Sequence, residues 1–340
     1  MDVELTINNY NILEAYCLSD DIVMTENNNN LKSEKSGKVE SLIIFRCNCR
    51  CIMCSTGLQI DRSQGQSDYH AIRPFEDVKR DIDKARDQQA FGFAFSGGEA
   101  TLRADLPDLV RYAREQGLEH IEVQSNGRIY ANRCYAEKLI DAGVNNFVIS
   151  LHAPDAELSD YIMGVPGAFA QTVQGIKNLN ELGQAVKINI VLMKQNYQRL
   201  LEHVNFLLTN FKIKEFRFTF VMLEGNVLQD IENIVPRMSE VAPYVSRAIE
   251  LAKDQVACFV YNMAPCFLPD QVKYINDMGK FDTLLLGPEF ETSLDDSRKT
   301  NKVKAATCSE CIYKEKCDGI WKNYAQEFGL EELRVIKSWE

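Results

Sequence analysis

From Val39 onward, short apolar runs alternate with longer amphipathic stretches. The runs SLIIFR (41–46), GFAFSGG (92–98), IEVQSN (121–126), NFVISLH (146–152), KINIVLM (187–193) and FRFTFVM (216–222) read as strands. Helical patterns lie between them, near 75–89, 105–117, 131–143, 156–182 and 198–211. Near-continuous apolar strands separated by helices predict a parallel sheet with both faces covered. Six such units in a row predict an α/β fold. The expected architecture is a partial (β/α)6 TIM-like barrel over residues 39–235, with its functional site at the C-terminal ends of the strands. Ahead of it, residues 1–38 read as short strands (ELTINNY, DDIVM) followed by the polar, Asn-rich connector TENNNNLKSEKSGK. Beyond about residue 235 the alternation fades. Residues 236–340 hold a helical pattern near 238–254, the segment APCFLPD and a second group of cysteines, and read as a smaller C-terminal region.

Composition narrows the function. The chain has 340 residues, 45% of them apolar, enough for one large α/β core plus an appendage. Lys and Arg number 38 against 49 Asp and Glu, for a net charge of −11. Nucleic-acid affinity comes mostly from cations that neutralise phosphates, so this balance disfavours a nucleic-acid partner. The first residues show no basic and apolar signal pattern. No run approaches the roughly 18 uninterrupted apolar residues of a membrane span. A soluble, cytoplasmic protein with no membrane partner is expected. In that compartment eleven cysteines point to metal ligation or catalysis rather than disulfides.

Four of those cysteines fall in CNCRCIMC, directly after the first strand. The subset Cys47-x3-Cys51-x2-Cys54 offers three thiolates on one loop, a donor set suited to zinc or to an iron–sulfur cluster. Structural zinc usually takes four ligands in a closed tetrahedron. Three would leave one iron of a [4Fe–4S] cluster open to an outside ligand.

CxxxCxxC after the first strand of a partial barrel resembles the radical S-adenosylmethionine (SAM) superfamily. The later strand ends agree with it. SGGEATL resembles that family's Gly-Gly-Glu, which holds the SAM amino group. Gly97 and Gly98 allow close backbone approach, and Glu99 is an anionic acceptor for an ammonium. QSNG resembles the family's Thr-Asn-Gly and places Ser125 and Asn126 in the pocket lining. ISLHAPD resembles the family's segment after the fourth strand, with Ser150 beside the SAM methionine or ribose. The resemblance implies a [4Fe–4S] cluster on Cys47, Cys51 and Cys54, reductive cleavage of SAM to a 5′-deoxyadenosyl radical, and hydrogen abstraction from a substrate. It also implies an electron donor of flavodoxin or ferredoxin type. Related enzymes often carry Arg where this chain has Met163, an Arg that can pair with the SAM carboxylate. Arg128 and Lys187 are the candidate substitutes. Cys49 fits no position of the pattern.

The tail holds Cys308-x2-Cys311-x5-Cys317, with Cys266 upstream. Four thiolates suit structural zinc or a fully ligated cluster. CxxCx5C resembles the SPASM or Twitch extension of radical SAM enzymes, which implies a second, auxiliary [4Fe–4S] cluster. Trp321 stands where the longer form has its next Cys, so one auxiliary cluster is expected, as in Twitch. Cys258, in the apolar run VACFVY, competes with Cys266 for the fourth place and reads as a packed core thiol. Such extensions are common in maturases of ribosomally made peptides. That implies a precursor-peptide substrate, modified by backbone excision, epimerisation or crosslinking, with a separate small peptide-recognition protein. The alternative is a dehydrogenase of aminosugars or alcohols. An RNA modifier and a non-enzymatic cluster scaffold are further readings, disfavoured by charge and by the SAM-amine acceptor. No catalytic acid, base or hydrogen donor is assigned. Tyr69, His70 and His152 are the polar residues nearest the expected mouth and read as supporting groups. The basic run SRKTNKVK (297–304) reads as a solvated loop, or else as a contact for an acidic peptide.

Overall fold

The computed structural model describes residues 37–57, 72–278 and 282–338. The N-terminal strands and connector, Cys17, Tyr69 and His70 lie outside them. Six parallel strands form the centre of one sheet: β1 (Lys38–Ile44), β2 (Gly92–Gly97), β3 (His120–Ser125), β4 (Asn146–Ser150), β5 (Val186–Leu192) and β6 (Ile213–Phe220). They pair in chain order, each to the next. Helices α1 (Phe75–Asp87), α2 (Leu106–Glu115), α3 (Arg133–Ala142), α4 (Ala156–Met163), α5 (Ala168–Glu181) and α6 (Leu200–Asn210) connect them.

The pattern near 156–182 is two helices rather than one. Gly164 and Gly167 adopt φ of +67° and +80° and break the run between α4 and α5. The C-terminal residues do more than append a lobe. After α7 (Met238–Ala252), strand β7 (Ala257–Tyr261) adds parallel to β6, and β8 (Thr283–Leu286) adds parallel to β1. Strand β9 (Glu291–Ser293) closes that side antiparallel to β8. The result is a nine-stranded sheet with β7 and β9 at its edges.

The sheet curves around a lumen, because residues from β1, β3, β6, β7 and β8 line the same cavity of about 960 Å³. Alternation along each strand sorts its two faces. In β1, Val39 and Ile43 are buried outward under the helices, whereas Lys38, Glu40 and Leu42 face the lumen. In β6, Phe216 and Phe218 pack outward, and Arg217 and Thr219 point in. The apolar core is thus the layer between sheet and helices, and the lumen is a partly open space lined by charged and apolar side chains together.

The basic run is not a solvated loop. It forms α8 (Leu294–Asn301) and β10 (Lys302–Val303), which pairs antiparallel with β11 (Ile320–Trp321). Arg298 and Lys302 are both buried, paired with Asp295 and Asp277 respectively. Helix α9 (Lys322–Phe328) then ends at Gly329.

Candidate functional site

The cysteine loop leaves β1 at the C-terminal edge of the sheet and is gripped by four different barrel segments. At its start, the exit of β2 bonds to it: Gly98 N–H donates to Ile44 O at 2.7 Å and Glu99 N–H to Arg46 O at 2.9 Å. This contact explains both glycines. A Cβ on Gly97 would lie 2.2 Å from Ile44 O, and one on Gly98 2.3 Å from Arg46 O. From the exit of β3, Asn126 Nδ2 donates to Asn48 Oδ1 at 2.6 Å, and Arg128 Nη1 bonds to Asn48 O. In the middle, Arg50 N–H and Ile52 N–H donate to Met163 O and Ile162 O at the end of α4. At the far end, Asn226 holds the carbonyls of Cys51 and Cys54.

Cys47, Cys51 and Cys54 are partly exposed on this loop, whereas Cys49 is buried against Met163 and Ala168. Arg128 Nη1 lies 3.6 Å from Cys49 Sγ. The Cys47 thiol is held well above its ordinary range, first by a hydrogen bond with Cys49, then by burial and the nearby Glu99 carboxylate. Cys47 and Glu99 are thus electrostatic neighbours. Among the described residues no His, Cys, Asp and Glu side chains gather in a ready metal-holding group of three or more. The donor set nevertheless fits an iron–sulfur cluster: three part-exposed thiols share one loop, and that loop is fixed from four sides.

Glu99 caps the turn after β2 and is almost wholly buried. Its Oε1 accepts from Thr101 N–H at 3.1 Å, from the Thr101 hydroxyl and from Ser125 Oγ at 2.8 Å. Its Oε2 accepts from Asn126 N–H at 2.7 Å. Burial pushes its pKa up, and these donors pull against that. Ser125 and Asn126 therefore serve Glu99 and the cysteine loop rather than open cavity. Ser150, at the end of β4, does line the cavity.

Of the two substitutes for the absent Arg at Met163, Lys187 stands near the start of β5, at the opposite end from the cysteine loop. It pairs there with Glu122 at 3.5 Å and Glu215 at 3.4 Å. Arg128 sits directly against the loop. His152 is buried, and its Nδ1 accepts from Val191 N–H at 3.2 Å. Burial pulls its pKa down to about 3, so it is a neutral packing residue outside the cavity lining.

The family model described as the radical SAM superfamily matches residues 41–207, the stretch that carries this loop, Glu99 and Ser150. Residues 41–207 are a radical SAM domain. Among curated relatives, the Fe-coproporphyrin III synthase of Methanosarcina barkeri is 33% identical over 154 residues, covering 44% of this chain and 36% of that protein. The AdoMet-dependent heme synthase of Oleidesulfovibrio alaskensis is 39% identical over 102 residues, 30% of this chain and 26% of that one. The chain thus spans about a quarter to a third of these two relatives. In fold it is similar to Streptococcus suis SuiB bound to S-adenosylmethionine, with a TM-score of 0.64 at 16% identity over 90% of this chain and 77% of that one. It is similar as well to anSMEcpe with bound AdoMet, with a TM-score of 0.58 at 13% identity over 89% and 93%.

Beyond the radical SAM domain, Cys266, Cys308 and Cys317 are electrostatic neighbours. Burial raises the Cys266 thiol to about 11, and the charges of Cys317 and Cys308 add to the shift. Cys317 is also raised by burial, and Gly319 N–H donates to its Sγ at 3.2 Å. Cys311 follows on the same turn, its N–H bonded to Cys308 O. Cys258 instead lies inside β7, buried, with burial alone raising its thiol to about 11. Cys134 is exposed on α3.

Sequence reasoning missed three supports: Thr101, Asn226, and the wall that the C-terminal region gives the cavity. Thr101 carried a signal, because a hydroxyl two residues after a turn-capping Glu bonds back to it. Asn226 carried none, since its partner carbonyls lie about 175 positions away.

Proposed function

We propose that this protein is a radical SAM enzyme that modifies a segment of a ribosomally made precursor peptide. Cys47, Cys51 and Cys54 hold a [4Fe–4S] cluster, and Gly97, Gly98, Glu99, Ser125, Asn126 and Ser150 form or support the SAM site. When bound, these groups supply one-electron reductive cleavage of SAM and hydrogen abstraction from the substrate. Glu99 is the acceptor for the SAM ammonium. It is held in place by four donors, and its Oε2 accepts only one of them. Arg128, bonded to the loop at Asn48 O, takes the place of the Arg missing at Met163. Cys266, Cys308, Cys311 and Cys317 hold a second cluster.

The observation that carries the peptide reading is the cavity. At about 960 Å³ it lies at the upper end of ligand pockets. One wall carries Phe45, Ser55 and Thr56 beside the cysteine loop, and the facing wall carries Phe290, Leu294 and Trp321 from the C-terminal region. That leaves room for a nucleoside cofactor on one side and an extended segment on the other. The fold's likeness to SuiB, solved with its precursor peptide SuiA at a TM-score of 0.61, supports the same choice. Among the described residues, the cation charges at the lumen floor are matched by Glu40, Glu122 and Glu215, which argues against a phosphorylated small molecule there.

Anaerobic reconstitution should give about eight irons per chain, four for each cluster. Changing Cys47, Cys51 and Cys54 together to Ala should leave about four and abolish 5′-deoxyadenosine formation. Continued formation of that product in the triple variant would refute the ligand assignment. Coexpression with candidate precursor peptides, read by mass spectrometry, should give a defined mass shift. Turnover of a free aminosugar or alcohol, with no peptide changed, would favour the dehydrogenase reading instead.

A further inference from the structure

The cysteine loop has a latch outside the sequence motifs. After β6 the chain turns through Gly225, with φ of +59°, and Asn226. Asn226 N–H donates to Cys54 O at 2.9 Å, and Asn226 Nδ2 donates to Cys51 O at 2.9 Å. The fit is close on both sides. A Cβ on Gly225 would lie 2.2 Å from Cys54 O, and one on Gly57 2.1 Å from Asn226 Oδ1. A single residue thus grips the peptide groups of two cysteines.

We propose that Asn226 is a positioning residue for the first metal site, setting the direction of the Cys51 and Cys54 thiolates from the exit of β6. The proposal rests on the reading that Cys47, Cys51 and Cys54 are the cluster ligands. A carbonyl fixed by a donor fixes the peptide plane, and that plane contains the Cα of the same residue, so it limits where that residue's own Cα–Cβ bond points. Elsewhere Ile44, Arg46 and Asn48 accept bonds from the exits of β2 and β3, and Arg50 N–H and Ile52 N–H donate to the end of α4. Asn226 adds a grip on the carbonyls of two of the three thiol-bearing residues. Met222 and Glu224, just before the turn, line the cavity. Occupation of the cavity and placement of the thiolates accordingly share one short segment.

The test uses the reconstituted full chain with Asn226→Ala, which removes the amide, Asn226→Asp, which keeps its shape without the donor, and Gly57→Ala, which displaces it. Residues that support metal ligands typically contribute 10–100-fold to metal affinity. All three variants should release iron from the first site to a chelator 10–100-fold faster than the parent. They should also show a changed low-temperature spin signal in the reduced state, with and without SAM. Iron at the tail cysteines and the unfolding midpoint serve as controls, because a merely structural role would move the midpoint and leave the spin signal alone. Parent-like release and signal in Asn226→Ala and Asn226→Asp would overturn the proposal. If the parent holds no iron that depends on Cys47, Cys51 and Cys54, the ligand reading fails first and the proposal falls with it.

Discussion

Two buried carboxylates mark opposite ends of the lumen, and they are stabilised differently. Glu99, at the cysteine end, is held by neutral donors, so burial dominates and its pKa rises. Glu122, at the other end in β3, is equally enclosed, and burial alone would raise its pKa as well. Lys38, Arg217 and Lys187 outweigh that and hold it well below the usual carboxylate range. A depressed carboxylate contributes stability that is present above its unfolded pKa, about 4.3, and is lost as pH falls through the folded value. Glu122→Gln should therefore destabilise the chain at neutral pH by about 3–5 kcal/mol, because it leaves Lys38, Lys187 and Arg217 with only Glu40 and Glu215 as partners and so one excess positive charge in the lumen. The gap to the parent should narrow as pH drops below about 4.3. Denaturant unfolding at neutral and acid pH measures both, and a gap that did not change with pH would contradict the pairing. Glu99 was legible in the sequence because it sits in a motif with glycines. Glu122 was not, since in IEVQSN it looks like any polar position of an alternating strand and its three partners come from three other strands.

The six central strands and their helices were legible because each carries its own period, two or 3.6, over enough residues to stand out. What escaped were the elements whose stability is not local. Strands β7, β8 and β9 have five, four and three residues; β7 and β8 exist because β6 and β1 present unpaired edges to them, and β9 because β8 does. The helix read as continuous over 156–182 is broken by MGVPG, where Gly164 and Gly167 do different work at similar backbone angles. A Cβ on Gly164 would lie 2.5 Å from Arg50 O in the cysteine loop, whereas one on Gly167 would meet nothing within 4 Å. Gly167→Ala should cost about 1–2 kcal/mol, the ordinary penalty for a side chain at positive φ. It should leave iron loading unchanged. Gly164→Ala should cost more and lower the iron bound at Cys47, Cys51 and Cys54. Unfolding midpoints together with iron analysis separate the two, and equal effects would show that the Arg50 contact does not matter.

At the scale of the whole molecule, the C-terminal region is built into the barrel rather than hung from it. Trp321 Nε1 donates to Asn262 Oδ1 at 3.2 Å, and Asn323 Nδ2 to Leu223 O at 2.9 Å. Met238 N–H donates to Tyr324 Oη at 2.9 Å. Asn262 itself holds Phe220 O, at the end of β6. These contacts and the added strands belong to the protein scaffold, and experiment can separate them from the proposed role of the tail cysteines. A chain ending at residue 235 would expose the β6 edge and the β1 edge at once, and open apolar edges template aggregation. That truncation should be insoluble or oligomeric. Changing Cys266, Cys308, Cys311 and Cys317 together to Ala should leave a soluble chain with its sheet intact, about four irons and the ability to cleave SAM. Size-exclusion chromatography, iron analysis and 5′-deoxyadenosine assay compare them directly. A soluble, monomeric truncation with parent-like SAM cleavage would show that the six-stranded unit stands alone and that β7 and β8 are dispensable to it.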